Sequence, residues 1–248
     1  MFFDHKTKPS TYCPQDGLVG WIRIITYSRL AKKARMTFLQ AKLEKNIKPK
    51  KIPFSFQGDF FQYDLLSTRP KIKDLSSFNF PDTILSKAKS DSVGTYGIFY
   101  FDPNNFKEID FAFSVASDIS FKRKVDCNTG KKQLYFRGIT YDTVAEYREF
   151  FKKGELELRS TLNADMFEYG LLKLFVGTPI ENDINIIRFL KSYFYKLRPS
   201  QPEVMDFMSF LSTTINGGGD VGIDNFEMDM NINILLLNVD PKKEVIRE

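Results

Sequence analysis

The stretch TYGIFYFDPNNFKEIDFAFSV, residues 95–115, decides the fold class. Thr95 to Phe101 is rich in aromatic and β-branched residues, the composition of a strand. Asp102-Pro103-Asn104-Asn105 then supplies turn chemistry: a proline to preset φ, and Asn and Asp side chains that bond their own backbone. Ile109, Phe111, Phe113 and Val115 alternate with Asp110, Ala112 and Ser114, the period of a half-buried strand.

Two further β regions lie outward from this hairpin. Phe121 to Val125 and Lys131 to Ile139 flank Asp126-Cys127-Asn128-Thr129-Gly130, which reads as a second hairpin with Gly130 where a positive φ is needed. Near the C-terminus Phe226, Met228, Met230, Ile232, Ile234 and Leu236 alternate with Glu227, Asp229, Asn231 and Asn233. Such a strand, about eleven residues long, exceeds the usual five or six. Its last part (Leu235, Leu237, Val239) is apolar on both faces. It either extends a sheet past its neighbours or pairs with another chain.

The other segments read as helices. Leu18, Trp21, Ile22, Ile25, Leu30, Ala34, Phe38, Ala41 and Leu43 approximate one apolar stripe at helical spacing, which predicts a helix over 18–46. Pro49 and Pro53 stop it. Residues 54–92 read as irregular, with Asp82 as the cap of a short helix through Lys89. Thr143 and Glu146 form a capping box opening a helix to Lys153. Asn163 caps another to Val176, Thr178-Pro179-Ile180-Glu181 opens a third, and Ser200-x-x-Glu203 a last one ending before Gly217.

The fold expected is therefore α+β: a mixed or antiparallel sheet with packed helices, a basic N-terminal helix and a long C-terminal strand. The strands near 95–101, 109–115, 119–125, 131–139 and 226–238 make the sheet. Residues 1–16 read as an extended arm and 17–248 as a single domain, with a soft internal boundary near 140.

Composition limits the function. The chain has 248 residues, 42% hydrophobic and 15% aromatic, enough to bury a sizeable core and opposite to the signature of disorder. Cys13 and Cys127 have neither metal-ligand spacing nor a disulfide framework. The first residues lack a signal-peptide core, and no apolar run approaches the roughly 20 residues of a membrane span. The expectation is a chain that keeps to the cytoplasm, or to a particle assembled there such as a virion, with no membrane partner.

Charge is polarised. Residues 1–56 hold twelve Lys or Arg and three Asp or Glu, a formal +9; residues 200–248 hold three and nine, a formal −6. Nucleic-acid contact or head-to-tail association between chains would use that asymmetry. The candidate nucleic-acid residues are Arg23, Arg29, Lys32, Lys33, Arg35, Lys42 and Lys45 on the N-terminal helix, and Lys122, Arg123, Lys124, Lys131, Lys132 and Arg137 on the second hairpin. Phe121, Tyr135 and Phe136 are interleaved there, as base stacking requires.

Catalytic patterns are weak. Asp220, Asp224, Glu227 and Asp229 follow Gly217-Gly218-Gly219 without the spacing of a calcium loop. Asp220 follows the glycines where a phosphate loop needs Lys and then Ser or Thr. His5, the single histidine, lies in the arm, a poor scaffold for a Cys-His or Ser-His-Asp set. We expect no catalytic residue, no metal and no cofactor.

The leading expectation is a non-enzymatic structural or assembly subunit of a large particle, with a viral or phage virion as the setting. Its partners would be other protein subunits, copies of itself included. A nucleic-acid-binding protein is the alternative. A divalent-metal-dependent hydrolase or nuclease using Asp220, Asp224 and Asp229 is the second alternative.

Overall fold

A computed structural model describes residues 2–3, 22–44, 55–68, 72–73, 85, 91–102, 105–121, 131–136, 141, 143–150, 156–181, 183–197, 201–214 and 233–240. The strands are β1 (Phe2–Phe3), β2 (Ile22–Ser28), β3 (Lys33–Glu44), β4 (Ser55–Asp59), β5 (Ile72–Lys73), β6 (Gly94–Asp102), β7 (Asn105–Val115), β8 (Ile119–Phe121), β9 (Lys131–Phe136), β10 (Ser160–Thr161), β11 (Thr178–Pro179) and β12 (Asn233–Asn238). The helices are α1 (Phe60–Thr68), α2 (Val144–Phe150), α3 (Ala164–Leu172), α4 (Ile184–Leu197) and α5 (Pro202–Thr214).

The α+β class holds. A seven-stranded mixed sheet runs in the order β10-β7-β6-β3-β2-β12, with β11 also paired to β3. β2/β3 and β6/β7 are antiparallel hairpins, whereas β3/β6 and β2/β12 run parallel. β4-β9-β8 form a separate antiparallel sheet, and β1 pairs with β5. The segments near 119–125 and 131–139 therefore do not join the strands near 95–115, as one common sheet would require.

The helix expected over 18–46 is replaced, across 22–44, by the hairpin β2–β3. β2 is buried on both faces over Arg23–Ser28, and β3 over Ala34–Leu39. A strand covered on both sides reads as a near-continuous apolar run rather than an alternation, and here that run coincided with helical spacing. Ser28-Arg29-Leu30-Ala31-Lys32-Lys33 holds no Gly, Pro or Asn, and its single turn-forming side chain is Ser28, whose hydroxyl accepts from the Ala31 N–H at 2.9 Å. The structure turns there all the same, with Lys32 at a left-handed φ of 52° and its N–H bonded to the Arg29 carbonyl. The β-branched residues of Ile22-Arg23-Ile24-Ile25-Thr26 were the contrary signal.

The sheet separates two cores. On one face Ile25, Tyr27, Met36, Phe38, Tyr96 and Ile98 pack with α4, α5 and the β4-β9-β8 sheet, and Tyr27 lies 5.0 Å from Phe207, centroid to centroid. On the other, Ile24, Leu39, Phe111 and Phe113 pack with Tyr147 of α2 and Met166 of α3. Phe167 joins them at 4.8 Å from both Phe111 and Phe113. β7 is thus not half-buried as its alternation suggests, for Ala112 and Ser114 are as covered as Phe113.

Local signals fared better. The Thr143 and Glu146 box forms in both directions at 3.1 Å. Asn163 Oδ1 accepts from the Met166 N–H, and α5 starts at Pro202. Thr178-Pro179 instead forms β11 against β3, and Asp183 caps α4 by accepting from the N–H groups of Asn185 and Ile186. Ser55 to Thr68, expected to be irregular, forms β4 and α1. The helix expected to start at Asp82, the turn at 126–130 and the 226–232 part of the last strand lie outside the described residues.

Two glycines are fixed by close approach. Gly177 has φ 94°, and a Cβ there would stand 2.8 Å from the Met36 carbonyl oxygen. A Cβ on Gly94 would stand 2.1 Å from the Leu66 carbonyl oxygen, where β6 meets α1. Because that obstacle is backbone, G94A should cost about 1–3 kcal/mol through overpacking, read as a lower urea midpoint with an unchanged slope.

Candidate functional site

The basic residues of the N-terminal segment do not form one face. Arg23 and Arg35 are interior, 4% and 7% exposed. Arg35 Nη1 donates to the Gly177 carbonyl at 2.8 Å. Arg29, in the β2–β3 turn, pairs with Asp206 of α5 at 3.2 Å. Lys42 Nζ donates to the Gln57 carbonyl at 3.4 Å. Lys32 and Lys33 remain exposed at the turn. Lys45, Lys122, Arg123, Lys124 and Arg137 lie outside the described residues; Lys131 and Lys132 are described only as β9 backbone, opposite Asp59 and Gly58 of β4. Cys13, His5, Cys127, the triple glycine, Asp220, Asp224 and Asp229 also lie outside.

Arg23 is unusual. Nη1 donates to the Tyr193 hydroxyl of α4, and the guanidinium sits 5.5 Å from the Phe38 ring centroid and 5.1 Å from that of Tyr193. Among the described residues Nη2 has no hydrogen-bond partner. Two aromatic faces therefore offset part of the desolvation, which lowers the pKa of the group. Burial in turn pushes the Tyr193 hydroxyl up to about 12, with Arg23 pulling it back.

The other concentration of polar groups joins the C-terminal strand to the β2–β3 turn. Asp240 accepts from the Ser28 hydroxyl and from the N–H groups of Arg29 (2.7 Å) and Leu30 (3.4 Å). The Tyr27 hydroxyl donates to Asp206, which also receives Arg29. These groups are more than 170 residues apart in sequence, so no local spacing could have revealed them. Arg159 forms a third cluster, bidentate to Asp118 at 2.6 and 2.8 Å, with Ser117 and Glu157 beside it. The Asp118 hydrogen bonds hold its pKa above the ordinary value. This ties the segment leading into β10 to the turn that follows β7. Among the described residues no group of three His, Cys, Asp or Glu side chains is placed to hold a metal, and no helix is long and apolar enough to cross a membrane.

The remaining feature is the outer edge of β12. β12 pairs with β2 on one side, and among the described residues no strand pairs with its other side. The strand reads Asn-Ile-Leu-Leu-Leu-Asn, without charge, Pro or Gly. Ile234 and Leu236 pack against the core, while Leu235 is 42% exposed. The apolar character of Leu235 and Leu237 was legible in the sequence, but their position at a sheet edge was not.

Two outcomes follow. D240A should leave the turn amides unpaired and cost about 1 kcal/mol, measured by urea unfolding, with faster hydrogen exchange at Leu237 and Val239. The raised pKa of Tyr193 means that its contribution to stability is whole below pH 10 and is lost as pH rises towards about 12. Y193F should therefore flatten the alkaline fall in stability over that window, while the similarly raised Tyr27 and Tyr96 keep a residual slope.

No protein-family model matches this chain, and neither the curated proteins nor the solved structures contain a match to it.

Proposed function

We propose that this chain is a non-enzymatic structural or assembly subunit of a multi-subunit particle. The carrying observation is the edge of β12: six residues of uncharged, mostly aliphatic strand at the border of the main sheet, lacking the Lys, Pro or bulge with which monomers blunt such edges. Edge strands accept added strands through main-chain hydrogen bonds, a common way for subunits to lock together. The Asp240 contacts support the same reading, because they fasten β12 to the body at its far end and so hold its edge straight. The polarity of charge along the chain favours association over repulsion.

The nucleic-acid alternative draws less support from the described residues. Phosphate contact needs cations that reach solvent. Arg23 and Arg35 are interior and Arg29 is paired, which leaves Lys32, Lys33 and the half-buried Lys42 among the described residues of the N-terminal set. Arg35 is also a poor probe of binding, since its neutralisation would disturb its bond to Gly177.

Light-scattering mass across a sizing column, with the 260/280 nm absorbance ratio on the same peak, tests the reading. The expected result is a mass of several chains with a protein-like ratio. A monomer at every concentration that carries nucleic acid, with an affinity that falls steeply with salt and on K32A/K33A, would overturn it.

A further inference from the structure

We propose that the β2–β3 turn, Arg29 to Lys33, is a preformed knob that docks into an apolar socket rimmed by carboxylates on a partner protein. The inference rests on the assembly reading above in taking the partner to be a protein, and it names a contact apart from β12.

The turn holds its tip out to solvent. Leu30 is 76% exposed, the highest value of any large apolar residue among those described. Ala31, Lys32 and Lys33 are exposed beside it. Met205 of α5, 59% exposed, adjoins Asp206, the partner of Arg29. A single exposed leucine is ordinary. Here, however, the backbone beneath it is fixed at several points. Asp240 accepts from the Arg29 and Leu30 N–H groups, and the Ser28 hydroxyl accepts from that of Ala31. Arg29 Nη2 donates to the Asp206 carbonyl at 3.0 Å. An apolar tip already fixed in place loses little freedom on docking.

Lys32 supplies an independent sign. Its φ of 52° is left-handed, where Gly or Asn is at ease and Lys is uncommon. Strain of this kind concentrates at sites of contact and chemistry. Among the described residues neither Lys32 nor Lys33 enters an ion pair, so both ammonium groups are open to a partner.

Charge selects the occupant. Behind the tip stand Asp206 on Arg29, Asp240 on the turn amides and Glu181 on the Ala34 N–H. These carboxylates balance Arg29, Lys32 and Lys33. A phosphate backbone or an anionic lipid surface spreads negative charge over the whole neighbourhood and would meet both signs. A protein socket sets its carboxylates at the two lysines alone and offers an apolar floor to Leu30.

Three probes, added to the isotope-labelled full chain and followed through its amide resonances, test the proposal. They are a synthetic peptide alternating glutamate pairs with leucine or phenylalanine, a thymidine oligonucleotide, and vesicles of phosphatidylserine and phosphatidylcholine. The peptide should shift the amides of Arg29 to Ala34 and of Met205, and its lysine-for-glutamate version should not. L30S and K32E/K33E should each weaken peptide binding roughly tenfold, the size expected of a docked anchor, with circular dichroism and urea midpoint unchanged. K32G should raise the urea midpoint by relieving the left-handed backbone, yet weaken binding.

Unchanged affinity in L30S or in K32E/K33E overturns the knob, as do peptide shifts confined to other amides. Saturating shifts of the turn amides by the oligonucleotide or the vesicles, with none by the peptide, overturn the protein partner. In each case the mass of the wild type on the sizing column, several chains or one, judges the assembly reading separately.

Discussion

The backbone of β3 is the constraint on which the rest of the structure depends. It is paired along both edges: with β2 over residues 33–39, with β6 over 38–44, and with β11 at Arg35 and Met36. Buried N–H and C=O groups cannot be left unpaired. Ala34, Met36 and Phe38 cover one face of β3, and Thr37 and Leu39 the other, so the strand is interior over Ala34–Leu39. Three distant parts of the chain must return to it, and the connections between them are placed by that demand. Gly177 follows from it directly, because the approach of β11 to Met36 leaves no room for a Cβ.

Interior position also decides what the arginines do. Arg23 and Arg35 project from the two central strands into cores already filled by Phe38, Tyr193 and the segment at Gly177. Each guanidinium there serves the packing: that of Arg35 bonds a carbonyl, and that of Arg23 bonds a hydroxyl and lies over two rings. Arg29, in the turn beyond the strand end, can meet a carboxylate, but that pair is about 40% exposed on each side and adds little by itself. Its weight comes from sharing Asp206 with Tyr27, next to the Asp240 contacts that join the last strand to the first hairpin.

The border of the sheet follows a different rule. On one side, among the described residues, the two residues of β10 are followed by a single parallel bridge from Thr161 to Tyr141. On the other, among the described residues, it ends in β12, held by a parallel ladder to β2 and by Asp240. The assembly reading rests on this strand of six residues.

Sequence alone determined the class, the β6–β7 hairpin, the capping of α2 and α3 and the return of an apolar C-terminal strand. Each is set by neighbours within a few residues: turn chemistry at Asp102-Pro103, the Thr143 and Glu146 box, Asn163 before Met166. Only the tertiary structure decided that 22–44 is a hairpin, that Thr178-Pro179 is a strand, and that 119–121 and 131–136 belong to a sheet of their own. Two-sided burial erases the alternation that marks a strand, so Ile22 to Leu43 fitted a helical stripe by coincidence. The turn at Arg29 to Lys32 has no turn residues of its own, because part of its hydrogen bonding comes from Asp240, more than 200 positions away. The basic residues followed the same logic: their number was fixed by the chain, but which of them reach solvent was fixed by the partners that folding brought to each.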